Sequence, residues 1–242
     1  MRRVIFDTCA TAILSPVLLA QAISLRKRAL RLPEAAGPRS GTIGDGSPLH
    51  LLIVGDSSAA GVGATHQDEA LAGQLSNALA ADHSVQWHLI ASTGATTSST
   101  LERLRAETLP TADVVLIVLG VNDVTRGGPK STWLRKHASL RALLRDQTGA
   151  KHLYISEIPP LGAFPLLPNP LRWLLGRRAT RFDAALRAAL HRETDVSYVG
   201  LPDTLDVTDM AQDGFHPGPA IYEVWAKEMA RQIRSDGPSK FV

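Results

Sequence analysis

Four short stretches of this 242-residue chain carry groups suited to chemistry on a carbonyl. The first is Gly55-Asp56-Ser57-Ser58, directly after the apolar run 49–54; the Ser57 hydroxyl becomes a nucleophile once a base takes its proton. The second is Asp213-Gly214-Phe215-His216, where a carboxylate three residues before an imidazole can, within one turn, reach Nδ1 and leave Nε2 facing a hydroxyl. The other two offer donors for a developing oxyanion. Gly94, in Ser92-Thr93-Gly94-Ala95-Thr96, has a bare backbone that lets its N–H approach a substrate closely; Asn122, in Gly120-Val121-Asn122-Asp123, has an amide that can donate while Asp123 pins the loop. Three of the four stretches also have an ordinary structural reading: Asp213 and His216 as caps of the last helix, Gly94 in a left-handed turn, Asn122 in an Asx turn.

The glycines at 55, 61 and 63 raise a second possibility, a loop that cradles phosphate. A Walker loop ends in Gly-Lys-Ser/Thr, and a dinucleotide fingerprint has G-x-G-x-x-G with an acidic residue after the second strand. Here the spacing differs, the second strand runs into Ile90-Ala91-Ser92-Thr93, and Gly127-Gly128-Pro129-Lys130-Ser131-Thr132 is only superficially similar. Nucleotide binding is the minor reading.

The elements that must hold these groups alternate along the chain. Short apolar runs at 49–56, 84–92, 112–121, 151–159 and 196–202, rich in β-branched residues, predict strands covered on both faces. Between them, 68–82, 98–107, 131–147 and 171–192 carry spaced apolar residues and helix formers, and a last helix is expected over 219–235. That order implies a parallel sheet between two helical layers, with ligands bound beyond the carboxyl ends of the strands. All four chemical stretches fall there.

A length of 242 residues with 44% hydrophobic and 20% charged residues suits one large α/β domain. The net charge of +3 comes from dispersed Lys and Arg rather than a basic patch interleaved with aromatics, which argues against nucleic acid as a partner. Cys9 is the only cysteine, so neither an intramolecular disulfide nor a cysteine metal site can form, and the histidines at 66, 83, 88, 137, 152 and 191 make no recognisable ligand set. Neither metal nor organic cofactor is expected.

Residues 1–32 start basic, continue apolar from Cys9 to Ile23 and end in Arg26, Lys27, Arg28 and Arg31. Asp7, Pro16 and the basic end oppose a cleaved signal, and the run is short for a membrane span. The expectation is a helix lying on a membrane surface or docked on the domain, with a cytoplasmic or peripheral inner-membrane location favoured over secretion. Residues 33–48, rich in Gly, Pro and Ser, read as a linker before a catalytic domain over 49–242.

Taken together, Gly55-Asp56-Ser57, Gly94 in its Ser-Thr-Gly-Ala-Thr setting, Gly120-Val121-Asn122-Asp123 and Asp213-Gly214-Phe215-His216-Pro217 resemble, in order and separation, the four blocks of the SGNH hydrolases, also called GDSL-type esterases and lipases. The resemblance spans roughly 50–232 and implies a flavodoxin-like α/β/α sandwich with five parallel strands. It implies Ser57 as nucleophile, His216 as general base and then acid, and Asp213 as its orienting carboxylate. The Ser57 and Gly94 N–H groups and the Asn122 amide would form the oxyanion hole. The usual bulky residue after the serine is Ser58 here, which leaves the first loop small-walled.

The stretch 159–178, Pro-Pro-Leu-Gly-Ala-Phe-Pro-Leu-Leu-Pro-Asn-Pro-Leu-Arg-Trp-Leu-Leu-Gly-Arg-Arg, is an apolar connection suited to a lid or pocket wall, or to packing on the sheet edge. Phe164, Leu166, Leu167 and Trp173 are its candidate acyl contacts. They favour a small-molecule acyl ester or thioester, of the lysophospholipase or thioesterase kind, over a carbohydrate O-acetyl group. A non-catalytic membrane-associated module of the same fold is the alternative from another class.

Overall fold

The computed structural model describes residues 2–201 and 206–236, the side chains of residues 2–12 and of Val207 excepted. Its centre is a six-stranded sheet. The parallel members are β2 (Ser47–Gly55), β3 (His83–Ala91), β4 (Val114–Val118), β5 (His152–Ser156) and β6 (Val196–Val199), and β1 (Ser40–Ile43) adds an antiparallel edge. The spatial order is β1-β3-β2-β4-β5-β6. Leaving out β1, the five parallel strands follow the flavodoxin-like order, with its switch point between β2 and β4.

Strands β4 and β5 are buried at every residue, which is why their sequences read as continuous apolar runs rather than alternating ones. Alternate residues of β2 feed two cores. Leu52 and Val54 pack with Leu101 of α3 (Thr97–Leu104), Leu140 and Leu144 of α5 (Lys130–Thr148) and Phe182 and Leu186 of α6 (Leu171–Leu190). Leu51 and Ile53 face the other way, towards Leu71 and Leu75 of α2 (Leu71–Leu79) and Tyr222, Trp225 and Met229 of α7 (Pro219–Asp236). The result is the expected three-layer α/β/α sandwich.

The stretch expected to be a linker differs from that reading. It carries β1, which pairs Ser40 with His88 and Ile43 with Val85, and β2 already begins at Ser47. All four residues of β1 are exposed, so this edge strand has no in–out alternation to announce it. Upstream of it, Glu34 accepts hydrogen bonds from the Thr93 N–H (2.7 Å) and hydroxyl (2.9 Å), fastening the segment to the end of β3.

The first helix, α1 (Arg2–Arg28), contains Pro16 and packs on α6. Leu18 joins the core, and Gln21 spans the start of α6, donating to the Asn169 carbonyl (2.6 Å) and accepting from the Leu171 N–H (3.1 Å). No helix among the described residues is long and apolar enough to cross a membrane.

Candidate active site

Strand β2 ends at Gly55 and the chain turns at once, with Ala60 N–H donating to the Asp56 carbonyl (2.9 Å) and Val62 N–H to that of Ser57 (3.0 Å). Gly63 then passes so close to the C-terminal loop that a Cβ there would lie 2.1 Å from the Pro217 carbonyl oxygen, at a φ of +104° that already favours glycine. This backbone contact locks the serine loop to the residue next to His216.

The two loops bring three side chains into line. His216 Nε2 lies 2.9 Å from Ser57 Oγ, and His216 Nδ1 lies 2.5 Å from Asp213 Oδ2. The other Asp213 oxygen accepts from the backbone N–H groups of Phe215 (2.9 Å) and His216 (3.0 Å), so the carboxylate both shapes its own turn and fixes the imidazole. Burial raises the affinity of Asp213 for a proton, but the His216 imidazole and these two N–H groups outweigh it and hold the carboxyl below the usual carboxylate range. Asp213 is thus a charged acceptor for the Nδ1 proton, which leaves Nε2 to take a proton from Ser57.

Gly94 and Asn122 lie on the loops that follow β3 and β4, and neither lines the pocket over Ser57. Gly94 has a φ of +79°, and the loop beyond it enters α3 through a capping box, Thr96 Oγ1 accepting from Ser99 N–H (3.1 Å) and Ser99 Oγ from Thr96 N–H (2.9 Å). Asn122, in the short helix α4 (Val121–Thr125), donates from Nδ2 to the Ala95 carbonyl at 3.0 Å and, at a longer 3.4 Å, to Asp56 Oδ2. Its neighbour Asp123 does pin the loop, accepting from the Thr97 N–H (3.0 Å) and hydroxyl (2.9 Å). Arg126 reaches back to donate to the Gly94 carbonyl.

Asp56 is buried beneath this arrangement. One of its oxygens accepts from the Ser58 N–H (3.0 Å), and burial, countered by that bond and by the His216 and Asn122 side chains, pushes its carboxyl up to about 7. A carboxyl poised there carries a proton for part of the neutral range.

A pocket of about 920 Å³, including its open mouth, lies over Ser57. Val118 and Leu119 at the end of β4, Pro160 and Phe164, and Phe215 and Trp225 give it apolar walls. Glu157 and Asp206 add carboxylates to its lining. Phe164 meets the Phe215 ring edge-on (5.3 Å, 86°), and Phe215 meets His216 in the same manner (5.3 Å, 75°), so the pocket wall and the His216 ring are in contact.

Of the four acyl contacts expected from the sequence, only Phe164 lines this pocket. Leu166 binds the Asp213–His216 turn through its backbone, its N–H donating to the Gly214 carbonyl (3.2 Å). Leu167 is 1% exposed and packed in the core, and Trp173 faces a separate groove between α1 and α6. The reason is periodicity: 171–190 is one helix, and its first turns present Trp173 to α1. Sequence reasoning missed Leu119, Phe215, Ile221 and Trp225 as lining residues. Phe215 lay in plain view between Asp213 and His216, whereas Ile221 and Trp225, one helical turn apart, carry the same signal as any core pair. Among the described residues no His, Cys, Asp and Glu cluster is arranged to hold a metal ion.

The arrangement resembles known proteins in sequence and in fold. The family of GDSL-like lipases and acylhydrolases matches residues 53–224. A GDSL-like esterase of Mycobacterium tuberculosis is 26% identical over 199 residues, covering 77% of this chain and 62% of the relative, so the chain spans less than two thirds of that relative's length. Among solved structures, TesA superposes with a TM-score of 0.57 at 23% identity, covering 77% of this chain and 98% of its own. The psychrotrophic esterase EstA from Pseudoalteromonas, inhibited by monoethylphosphonate, gives 0.56 at 21% identity, with 77% and 97% covered. A Corynascus carbohydrate esterase with a carbohydrate-binding domain gives 0.56 at 16% identity, with 84% and 68% covered. At these identities the likeness to solved structures is one of fold.

Proposed function

This chain belongs to the GDSL-like lipase/acylhydrolase family, and from that premise we propose that it is a serine esterase that cleaves acyl esters or thioesters through an acyl-enzyme on Ser57. The observation that carries the reading is the continuous line Ser57 Oγ, His216 Nε2, His216 Nδ1, Asp213 Oδ2, with contacts of 2.9 and 2.5 Å.

In the first half-reaction His216 Nε2 takes the Ser57 proton as Oγ bonds to the substrate carbonyl carbon. The carbonyl π electrons move to its oxygen, where the Ser57 and Gly94 N–H groups and Asn122 Nδ2 donate. Asn122 can turn one amide hydrogen to this task because its contact to Asp56 is long at 3.4 Å. The tetrahedral adduct collapses, the bond to the leaving oxygen or sulfur breaks, and His216 supplies the proton. Water then repeats the sequence with His216 as base, releasing the acid and restoring the Ser57 hydroxyl.

The apolar walls at Val118, Leu119, Phe164 and Phe215 support an acyl chain rather than a sugar ring as the bound part of the substrate. A lysophospholipid, an acyl thioester or a simple carboxylic ester each presents such a chain. The test is labelling with a fluorophosphonate probe, mapping of the adduct, and hydrolysis of p-nitrophenyl esters of increasing chain length. Labelling at Ser57 and activity abolished by Ser57→Ala are expected. Absence of both in the wild-type protein refutes the reading, and cleavage of acetylated xylan without activity on longer esters replaces the acyl substrate with a carbohydrate one.

A further inference from the structure

Of the seven large apolar side chains that stand exposed among the described residues, five lie between positions 13 and 30: Ile13, Val17, Leu19, Ile23 and Leu30. Four of them are on α1, the last just beyond it. The opposite stripe of the same helix is already used, since Leu14, Leu18 and Leu25 pack on the core and Gln21 bonds to the start of α6. Positions 14, 18, 21 and 25 keep helical spacing, so they form one inward face and leave 13, 19 and 23 turned away from the domain, with 17 at the margin. A soluble helix would carry polar residues there. This one carries branched aliphatics that cost free energy in water and gain it on burial.

The cations at one end of the apolar face decide its partner. Arg26, Lys27, Arg28 and Arg31 are all exposed and sit at the end of α1 or just past it, with no acidic residue between positions 8 and 33. Aliphatic side chains with a run of positive charge beside them match the two layers of an anionic bilayer surface, acyl chains below and phosphate groups above. Trp173, partly exposed in the groove beside α1 with the Arg177 guanidinium 5.6 Å from its ring centre, adds an aromatic of the kind that settles at such interfaces. The helix lies on rather than through the membrane, because it is not long and apolar enough to span one and its inward face is committed to α6.

We propose that the outward face of α1 with Arg26, Lys27, Arg28 and Arg31 is a docking surface for anionic phospholipid bilayers, which the protein binds peripherally. Gln21 then ties the docked helix to Asn169 and Leu171, at the far end of the segment whose near end, from Pro159 to Phe164, walls the pocket over Ser57. A lipid-bound protein would in this way hold its pocket wall and its membrane contact in one rigid connection.

The experiment is co-sedimentation of the full chain with phosphatidylcholine vesicles, with and without phosphatidylglycerol, over a range of salt. Binding is expected only where phosphatidylglycerol is present and is expected to weaken as salt rises. Replacing Arg26, Lys27 and Arg28 with Gln should lower partitioning about a hundredfold, and the pair Leu19→Asp and Ile23→Asp should abolish it. Urea unfolding of both variants should match that of wild type, which shows that they fold and keeps this test independent of the catalytic reading. Equal binding to neutral vesicles, no binding by the wild-type chain, or binding by both variants as by wild type overturns the proposal. So does a lipid-free dimer that Leu19→Asp and Ile23→Asp converts to monomer, which would assign the face to a second copy of this chain.

Discussion

Arg126 Nη2 donates a 2.6 Å hydrogen bond to the Gly94 carbonyl oxygen, across 32 residues of sequence. From the other side, Glu34 takes the Thr93 N–H at 2.7 Å. The Gly94 N–H lies between these two clamps, so its direction is set by two side chains outside the four sequence blocks. If that N–H is an oxyanion donor, Arg126→Ala should lower kcat about tenfold with little change in KM, since it disturbs the donor without removing it. Arg126 is exposed, so the unfolding free energy should stay within about 0.5 kcal/mol of wild type. Steady-state kinetics beside urea unfolding separates the two effects; a KM change with kcat intact would assign Arg126 to substrate binding instead.

The Asp56 carboxyl, held up to about 7 by burial, gives a pH dependence of stability with a definite sign. Between the usual carboxylate value near 4 and about 7 the folded chain keeps a proton that the unfolded chain has lost. Its contribution to stability is therefore complete at acid pH, declines as pH rises through that window by at most about 1.4 kcal/mol per unit, and is flat above it. Asp56→Asn removes this slope. Urea unfolding of both proteins from pH 4 to 8 should give difference curves that converge at the acid end and part towards neutrality; parallel curves would mean that Asp56 does not hold the proton.

Asp213 has the opposite sign. Its carboxyl is held below the usual range by His216 and two backbone N–H groups, so its stabilisation is present above about pH 4 and is lost as pH falls through its lower folded value. Asp213→Asn would deprive the His216 Nδ1 proton of its charged acceptor and should reduce kcat by roughly three orders of magnitude. Chain-length selectivity, set elsewhere, should be unchanged in the residual activity.

Phe164 and Trp173 make a matched pair because both come from the same apolar connection but only Phe164 reaches the pocket. Phe164→Ala should reduce kcat/KM about tenfold for longer acyl esters and less for acetate esters, as lost burial falls on the chain rather than on the reacting carbonyl. Trp173→Ala should leave the whole ester series as in wild type. An equal loss across all esters in Phe164→Ala would point to damage at His216 through Phe215 instead.

Gly63→Ala tests the lock between loops. A methyl group there would meet the Pro217 carbonyl at 2.1 Å and occupy a left-handed backbone. A loss of more than about 2 kcal/mol in unfolding free energy is expected, with a still larger fractional loss of activity because the strain falls beside His216. Unaltered activity at lowered stability would show that the loops align independently of this contact.

The parallel sheet was readable because strands buried on both faces must be written as unbroken apolar runs, as β4 and β5 are. The four chemical stretches were readable for a related reason: each sits where a strand or its loop ends on the same rim, and small or polar residues stand out against the apolar runs before them. β1 was not readable, since its register is imposed by β3 and not by any pattern of its own four exposed residues. Nor were the pocket walls. Trp173, Ile221 and Trp225 are alike in the sequence, and only the packing of α6 and α7 decides that the last two face the pocket. The clamp by Glu34 and Arg126 was invisible too, because neither the spacing nor the setting of those two charges marks them as partners of a turn.

Ser57 and His216 are 159 residues apart in the chain, and between them lie four of the five parallel strands. If Ser57 is the nucleophile, a partial chain that stops anywhere before the last loop would hold it and two of its proposed donors and still have nothing to activate it. Long-range closures of this kind come late in folding, after the local contacts that make them affordable in entropy. On the proposed chemistry, a chain growing from its N-terminus would stay catalytically silent until the last loop is made, and the onset of hydrolysis would mark the moment when Ser57 and His216 have met.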